Sequence, residues 1–196
     1  MKHTANYLGG LLALVASGAA LAHPGHAADA LSFFAVGFSH PFTGVDHLLA
    51  MLAVGLWASQ SQGRARWAMP LAFVGTMLAG ALLAASGYAI PVAPLESLIA
   101  ALVLVLGLGV AFQVKVPAAA VLPLLAGFAL FHGMAHGLEL GGDAANYAPG
   151  FVLATVILHG LGLVLGAMLG QGRALRAGGL PIALSGLVLL AQSAAG

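Results

Sequence analysis

The chain has 196 residues, of which 61% are hydrophobic and only 6% are charged, with a formal net charge of +1 and no cysteine. Soluble domains carry about 25% charged residues, so the composition excludes a soluble globular protein, and the small net charge gives no indication of a nucleic-acid partner. The absence of cysteine excludes disulfides, thiolate ligands and cysteine nucleophiles, so a metal site must use nitrogen, oxygen or thioether ligands.

The first 22 residues have the layout of a cleavable signal peptide. Lys2 precedes a short apolar run, residues 8–16, and a small-residue A-x-A site ends at Ala22. An uncleaved first helix is the alternative. Cleavage would leave an extracytoplasmic tail and entrance segment, residues 23–41, whose first two histidines either collect a divalent cation or are simply solvated: His23 and His26.

Six apolar runs of helical length follow this tail. They are predicted to span the membrane within one domain, residues 42–196, at roughly residues 42–59, 67–86, 94–113, 117–139, 147–170 and 179–195. Each run is close to the ~20 residues that a bilayer requires, and none shows the ten-residue alternation of a membrane β-barrel. The sequence therefore predicts an all-α membrane protein, a bundle of six transmembrane helices after a cleavable signal peptide, in contact with the lipid bilayer.

Positive charge predicts the orientation of these spans. After the signal peptide, every lysine and arginine falls between spans one and two, three and four, or five and six: Arg64, Arg66, Lys115, Arg173 and Arg176. The positive-inside rule places those loops in the cytoplasm. Both ends of the mature chain are then extracytoplasmic, as signal cleavage requires, and the expected location is the bacterial inner (cytoplasmic) membrane.

The first ionisable cluster is the stretch from His40 to His47, at the head of span one. Ionisable groups in lipid are energetically costly, so such a cluster indicates a functional site. His40 and His47 share one face if the helix is continuous, but Pro41 disfavours helical geometry at His40. His40 is then either a mobile outer gate or, if residues 31–59 form one kinked helix, a ligand fixed near the centre. Asp46 is a candidate ligand and also fits a capping box that starts at Thr43.

Span four carries a second cluster, in which His132, His136 and Glu139 project from one helical face. Imidazoles one turn apart beside a carboxylate suit a divalent ion such as nickel, cobalt or zinc. Because spans one and four run in opposite directions, the two clusters are expected at matching depth near the outer surface. His159 in span five is expected about 18 Å deep, either as a further ligand on a cation route or hydrogen-bonded to a neighbouring helix.

Two groups of glycines are distinguished by their positions. Gly162, Gly166 and Gly170 lie four residues apart, which is typical of close helix packing in lipid. In the second group, a histidine directly precedes each glycine: Gly133, Gly137 and Gly160. These glycines either leave space for a ligand or serve packing alone.

Both histidine clusters resemble signatures of a known family. The run His40-x5-Asp46-His47, continuing as Leu48-Leu49-Ala50-Met51-Leu52-Ala53-Val54-Gly55-Leu56-Trp57, resembles the first signature of the HupE/UreJ proteins, nickel permeases that accompany hydrogenases and ureases. The run Phe131-His132-Gly133-Met134-Ala135-His136-Gly137-x-Glu139 resembles the second. With the signal peptide and six spans, the resemblance covers essentially the whole chain.

The resemblance implies transport of nickel, with cobalt as the second candidate, into the cytoplasm for maturation of a hydrogenase or urease. The residues it implies as carriers of this function are His40, Asp46, His47, His132, His136 and Glu139. His23 and His26 resemble the histidines that follow the signal peptide in this family. The spacing of the residues by itself indicates only a divalent metal.

No prosthetic group is expected, since the metal would be cargo, and the chain lacks the Gly-x4-Gly-Lys-Ser/Thr motif of an ATP site. Energy would come from the gradient, cytoplasmic trapping, protons or a partner, and a metallochaperone or a second copy of the chain is the candidate protein partner. Two alternatives are a metal-binding accessory or sensor protein and a membrane-embedded zinc hydrolase with Glu139 as general base. The hydrolase would lack the usual H-E-x-x-H motif.

Overall fold

A computed structural model describes residues 30–88, 92–115, 117–140 and 144–195. The predicted signal peptide and the tail residues His23 and His26 lie outside these ranges. All regular structure in the described residues is helical, in seven helices: α1 (Ala30–Thr43), α2 (Val45–Ala58), α3 (Ala65–Ala85), α4 (Val92–Ala111), α5 (Ala118–Leu140), α6 (Ala144–Leu169) and α7 (Arg173–Ala195). The predicted all-α membrane class is confirmed.

Four helices, α3, α5, α6 and α7, are long and apolar enough to cross a membrane, and the bent pair α1–α2 adds a fifth if it forms one broken span. The apolar part of α4, Leu95–Ala111, is shorter. The predicted count of six spans is therefore not confirmed. One reason is the predicted span at residues 42–59: its helix, α2, has only 14 residues, or roughly 21 Å of length.

The bend between α1 and α2 lies at Gly44 and measures 78°. Pro41 does not interrupt the helix at His40, because both residues belong to α1. Of the two alternatives for this segment, the bent pair α1–α2 agrees with a kinked helix. The capping-box interpretation is also wrong, since Gly44 precedes α2 without a side-chain cap and the Thr43 hydroxyl donates to the carbonyl of His40 at 2.9 Å. Packing holds α1 helical: Gly37 lies directly against the backbone of Tyr147 in α6.

Glycines bring the helix backbones into contact at several crossings. A Cβ atom added to Gly162 of α6 would overlap the carbonyl of Leu52 and lie 2.9 Å from the Cα atom of Gly55, both in α2. A Cβ atom on Gly133 of α5 would overlap the carbonyl of Met77 in α3. Gly133 therefore serves packing, and Gly137 packs against α3 in the same way, whereas Gly160 faces open space.

The two ends of the bundle differ in character. At one end, Trp57 donates its indole N–H to the carbonyl of Val114 at 3.0 Å, and the Gln113 amide donates to the carbonyl of Gly172 at 2.6 Å. The helix termini at this end carry all the basic residues of the described chain, and we call it the basic end: Arg64, Arg66, Lys115, Arg173 and Arg176. The histidines of both signatures lie towards the opposite end.

Candidate metal site

Three imidazoles from three helices converge at the end opposite the basic end. His40 comes from the last turn of α1, His47 from the first turn of α2, and His136 from the outer half of α5. One ring nitrogen of each lies within 4.8 Å of the other two, and Nε2 of His47 is 2.9 Å from Nε2 of His136. We call these residues the three-histidine cluster. The two sequence signatures thus meet, as their matching depths predict.

Asp46 fixes the orientation of one ring in this cluster. Nδ1 of His47 lies 2.7 Å from Oδ1 of Asp46, in a contact that leaves only 12% of the His47 side chain exposed. A carboxylate beside Nδ1 favours the tautomer with its proton on that atom. Nε2 of His47 then has a lone pair that accepts from Nε2 of His136 and that could instead bind a metal ion. Asp46 therefore positions His47 and places a negative charge beside the cluster.

His132 lies one turn inward of His136 on α5 and has no exposed surface. Its ring centroid is 4.6 Å from that of His47 and 4.9 Å from that of His136, and neither of its ring nitrogens has a hydrogen-bond partner. The backbone of Glu139 continues α5 beyond His136, but its side chain lies outside the described residues. Participation of Glu139 in the site stays a prediction.

Aromatic rings from α6 line the cluster on one side. The ring of Phe151 is 4.5 Å from that of His136, and the ring of Tyr147 is 6.0 Å from that of His40. Sequence reasoning did not single out either residue. Their four-residue spacing places them on one face of α6, and this spacing is the feature of the sequence that could have identified them.

A partly open cavity of about 590 Å³ reaches the cluster between α2, α4, α5 and α7. Its polar lining comes from all four helices and is formed by Asp46, His47, Glu96, His136, Gln192 and Ser193. Six water molecules at ~30 Å³ each fill roughly 180 Å³, so a hydrated divalent ion fits with room to spare. The contribution of Gln192 and Ser193 in α7 has no counterpart in the sequence motifs.

His159 lies apart from the three-histidine cluster. It is 2% exposed, neither ring nitrogen has a hydrogen-bond partner, and its ring stands perpendicular to that of Phe73 at 5.4 Å. The alternative that His159 is hydrogen-bonded to a neighbouring helix is therefore not supported. His159 lies nearer the basic end than the cluster does, and its depth in the membrane stays a prediction.

The donor set can hold a divalent metal ion with small adjustments. Nitrogen ligands at about 2.1 Å from one ion lie at most ~4.2 Å apart. The 2.9 Å separation between the His47 and His136 nitrogens fits two ligands at about 90° on a square-planar or octahedral ion. Any separation in the three-histidine cluster that exceeds ~4.2 Å, within its 4.8 Å limit, would have to shorten slightly. Imidazoles near a carboxylate suit zinc, nickel and cobalt rather than calcium or magnesium, which prefer oxygen ligands.

Comparison with known proteins agrees with the two signatures. The sequence matches the model of the HupE / UreJ protein family over residues 11–189. It is 45% identical over 186 residues to "Protein HupE" of Rhizobium leguminosarum bv. viciae, an alignment that covers 92% of this chain and 94% of the relative. No solved structure matches the chain. The chain belongs to the HupE/UreJ family.

Proposed function

We propose that this protein is a nickel permease that moves the ion across the inner membrane into the cytoplasm, with the three-histidine cluster as its first binding site. The observation that carries the proposal is the convergence of three imidazole nitrogens within 4.8 Å, two of them, from His47 and His136, on residues that line a 590 Å³ cavity. Membership of the HupE/UreJ family supports a nickel-related role as an accessory to hydrogenase or urease. Cobalt is the second candidate cargo.

The direction of transport follows from charge. The cavity and the three-histidine cluster lie at the end opposite all described lysines and arginines. If the basic end faces the cytoplasm, as the positive-inside rule requires, the cavity faces the outside and loads from there. The mature amino and carboxyl termini would then be extracytoplasmic.

Ion capture would proceed by exchange of water for protein ligands. A hydrated ion entering the cavity meets Asp46 and Glu96, whose negative charges attract it. The imidazoles of His47 and His136 then replace waters, and His40 can complete the set from the other side. Stepwise replacement keeps the ion coordinated throughout, which lowers the barrier for a strongly hydrated cation. Asp46 and Glu139 are further candidate ligands.

Flux into liposomes that contain only this protein tests the proposal. We expect saturable nickel uptake down a concentration gradient, followed with a metal-quenched dye inside the vesicles, with competition by cobalt and weaker competition by zinc. Nickel binding without flux would contradict the permease and favour an accessory or sensor protein. Tightly retained stoichiometric zinc would instead favour a hydrolase, since three imidazoles also suit a catalytic zinc site.

Replacing Asp46 by asparagine is expected to weaken nickel binding about 10- to 100-fold, the usual cost of losing a residue that orients a metal-bound histidine. The asparagine keeps the size of the side chain but removes the charge beside Nδ1 of His47. Isothermal titration of nickel into purified protein measures the effect. Gln192→Ala, in the same cavity wall, is the matched control, and equal affinities of the two variants would contradict the role of Asp46.

A further inference from the structure

Fully buried polar side chains are few in the described part of the chain. They are His132, His136, Thr155 and His159, two on α5 and two on α6. Thr155 is satisfied, because its hydroxyl donates to the carbonyl of Phe151 at 2.9 Å. His132 and His159 have no hydrogen-bond partner on either ring nitrogen. A buried polar group without a partner destabilises the folded chain, so each of these imidazoles requires an explanation.

His136, His132 and His159 lie in that order from the three-histidine cluster towards the basic end. Phe151 of α6 contacts His136, and His159 lies eight residues further along the same helix, roughly 12 Å deeper. Phe73 of α3 contacts both neighbouring imidazoles, with its ring centroid 6.1 Å from that of His132 and 5.4 Å from that of His159. His159 is therefore the deepest imidazole of the described interior.

The backbone at His159 is held in place by a helix crossing. A Cβ atom on Gly55 of α2 would overlap the carbonyl of His159, so the two helix backbones touch there. A fixed backbone holds the imidazole ready for a ligand without further ordering of the chain. On the side of the basic end, the described interior continues with apolar side chains, among them Met69, Leu125 and Leu163.

We propose that His159 is an inner metal-binding station, which receives the ion from His132 past the ring of Phe73 before release towards the basic end. This inference rests on the proposed permease function and adds a second site to it. An ion that leaves the three-histidine cluster must exchange its ligands for others at each step. The unpartnered nitrogens of His132 and His159 supply those ligands among side chains that are mostly apolar.

Replacing His159 by alanine is expected to leave nickel affinity at the three-histidine cluster within about twofold of wild type and to lower the maximal rate of nickel flux at least tenfold. Leu158→Ala is the matched control, because Leu158 is equally buried at the same level of α6. If nickel flux of the two variants were equal, the inner station would be wrong. Absence of nickel flux in the wild-type protein would instead contradict the proposed function.

A second measurement locates the metal directly and does not depend on flux. The chain has no cysteine, so the His159→Cys variant carries a single thiol, and the ultraviolet cadmium–thiolate absorption band of this variant reports on position 159 alone. We expect this band in His159→Cys protein loaded with cadmium and no band in a matched Leu158→Cys variant. A folded His159→Cys protein without the band would overturn the proposal.

Discussion

Replacing His136 by alanine is expected to weaken nickel binding by at least about 100-fold and to abolish nickel flux. His136 is 4% exposed, and its Nε2 atom is 2.9 Å from that of His47, so it is the α5 ligand that faces the α1–α2 pair. Without it, two imidazoles of the three-histidine cluster remain. Loss of a direct ligand must reduce nickel affinity at least as much as loss of an orienting residue, which reduces it about 10- to 100-fold. Isothermal titration and liposome flux measure the two effects.

Ser193→Ala is the control for this variant. Ser193 lines the same cavity, and its hydroxyl lies 3.1 Å from that of Ser97 and donates to the carbonyl of Leu190 at 3.0 Å. Its removal is expected to change nickel affinity by less than about twofold, as for a substitution that shares no partner with the binding site. A His136→Ala protein that bound nickel as tightly as the Ser193→Ala protein would refute the proposed site.

Gly162→Ala is expected to lower the midpoint of thermal unfolding by about 2–12 °C. The added methyl group would overlap the carbonyl of Leu52 and lie 3.0 Å from the backbone nitrogen of Leu56, so the neighbours are main-chain atoms that cannot rotate away. Overpacking of this kind costs about 1–3 kcal/mol, and 1 kcal/mol corresponds to roughly 2–4 °C in a chain of this size. Because α2 carries His47, nickel affinity should fall as well.

Gly160→Ala provides the comparison on the same helix. No atom lies within 4 Å of a Cβ atom at that position. Alanine also favours the helix over glycine by about 1 kcal/mol, so the midpoint should stay the same or rise by a few degrees. Fluorescence-monitored unfolding in detergent measures both variants, and similar midpoints would contradict the packing role of the α2–α6 crossing.

Much of the candidate site follows from local spacing in the sequence. The four-residue interval between His132 and His136 places both on one helix face in any α-helix. The charge distribution in the loops orients the helices, and their lengths then bring His47 and His136 to the same depth. The sequence therefore predicts that these two imidazoles can face each other, and the packing of the helices brings them to a contact of 2.9 Å.

Other features depend on packing between distant segments and could not be predicted. Thr43 and Asp46 have the spacing of a capping box, yet the Asp46 carboxylate contacts His47 and the Thr43 hydroxyl bonds within α1. Local capping yields about 1 kcal/mol, which other contacts can outweigh. The helical state of His40 and Pro41 depends on contact of α1 with α6, and Gln192 reaches the cavity only through the position of α7.

The bend at Gly44 determines the distance between the two histidines that flank it, His40 and His47. In a straight α-helix, residues seven apart are separated by about 10.5 Å along the axis, too far for their imidazoles to share one small cation. The 78° turn brings the rings of His40 and His47 to a centroid separation of 4.9 Å. The angle at Gly44 therefore sets the distance between the two imidazoles. Straightening the segment would separate them and prevent them from binding the same ion.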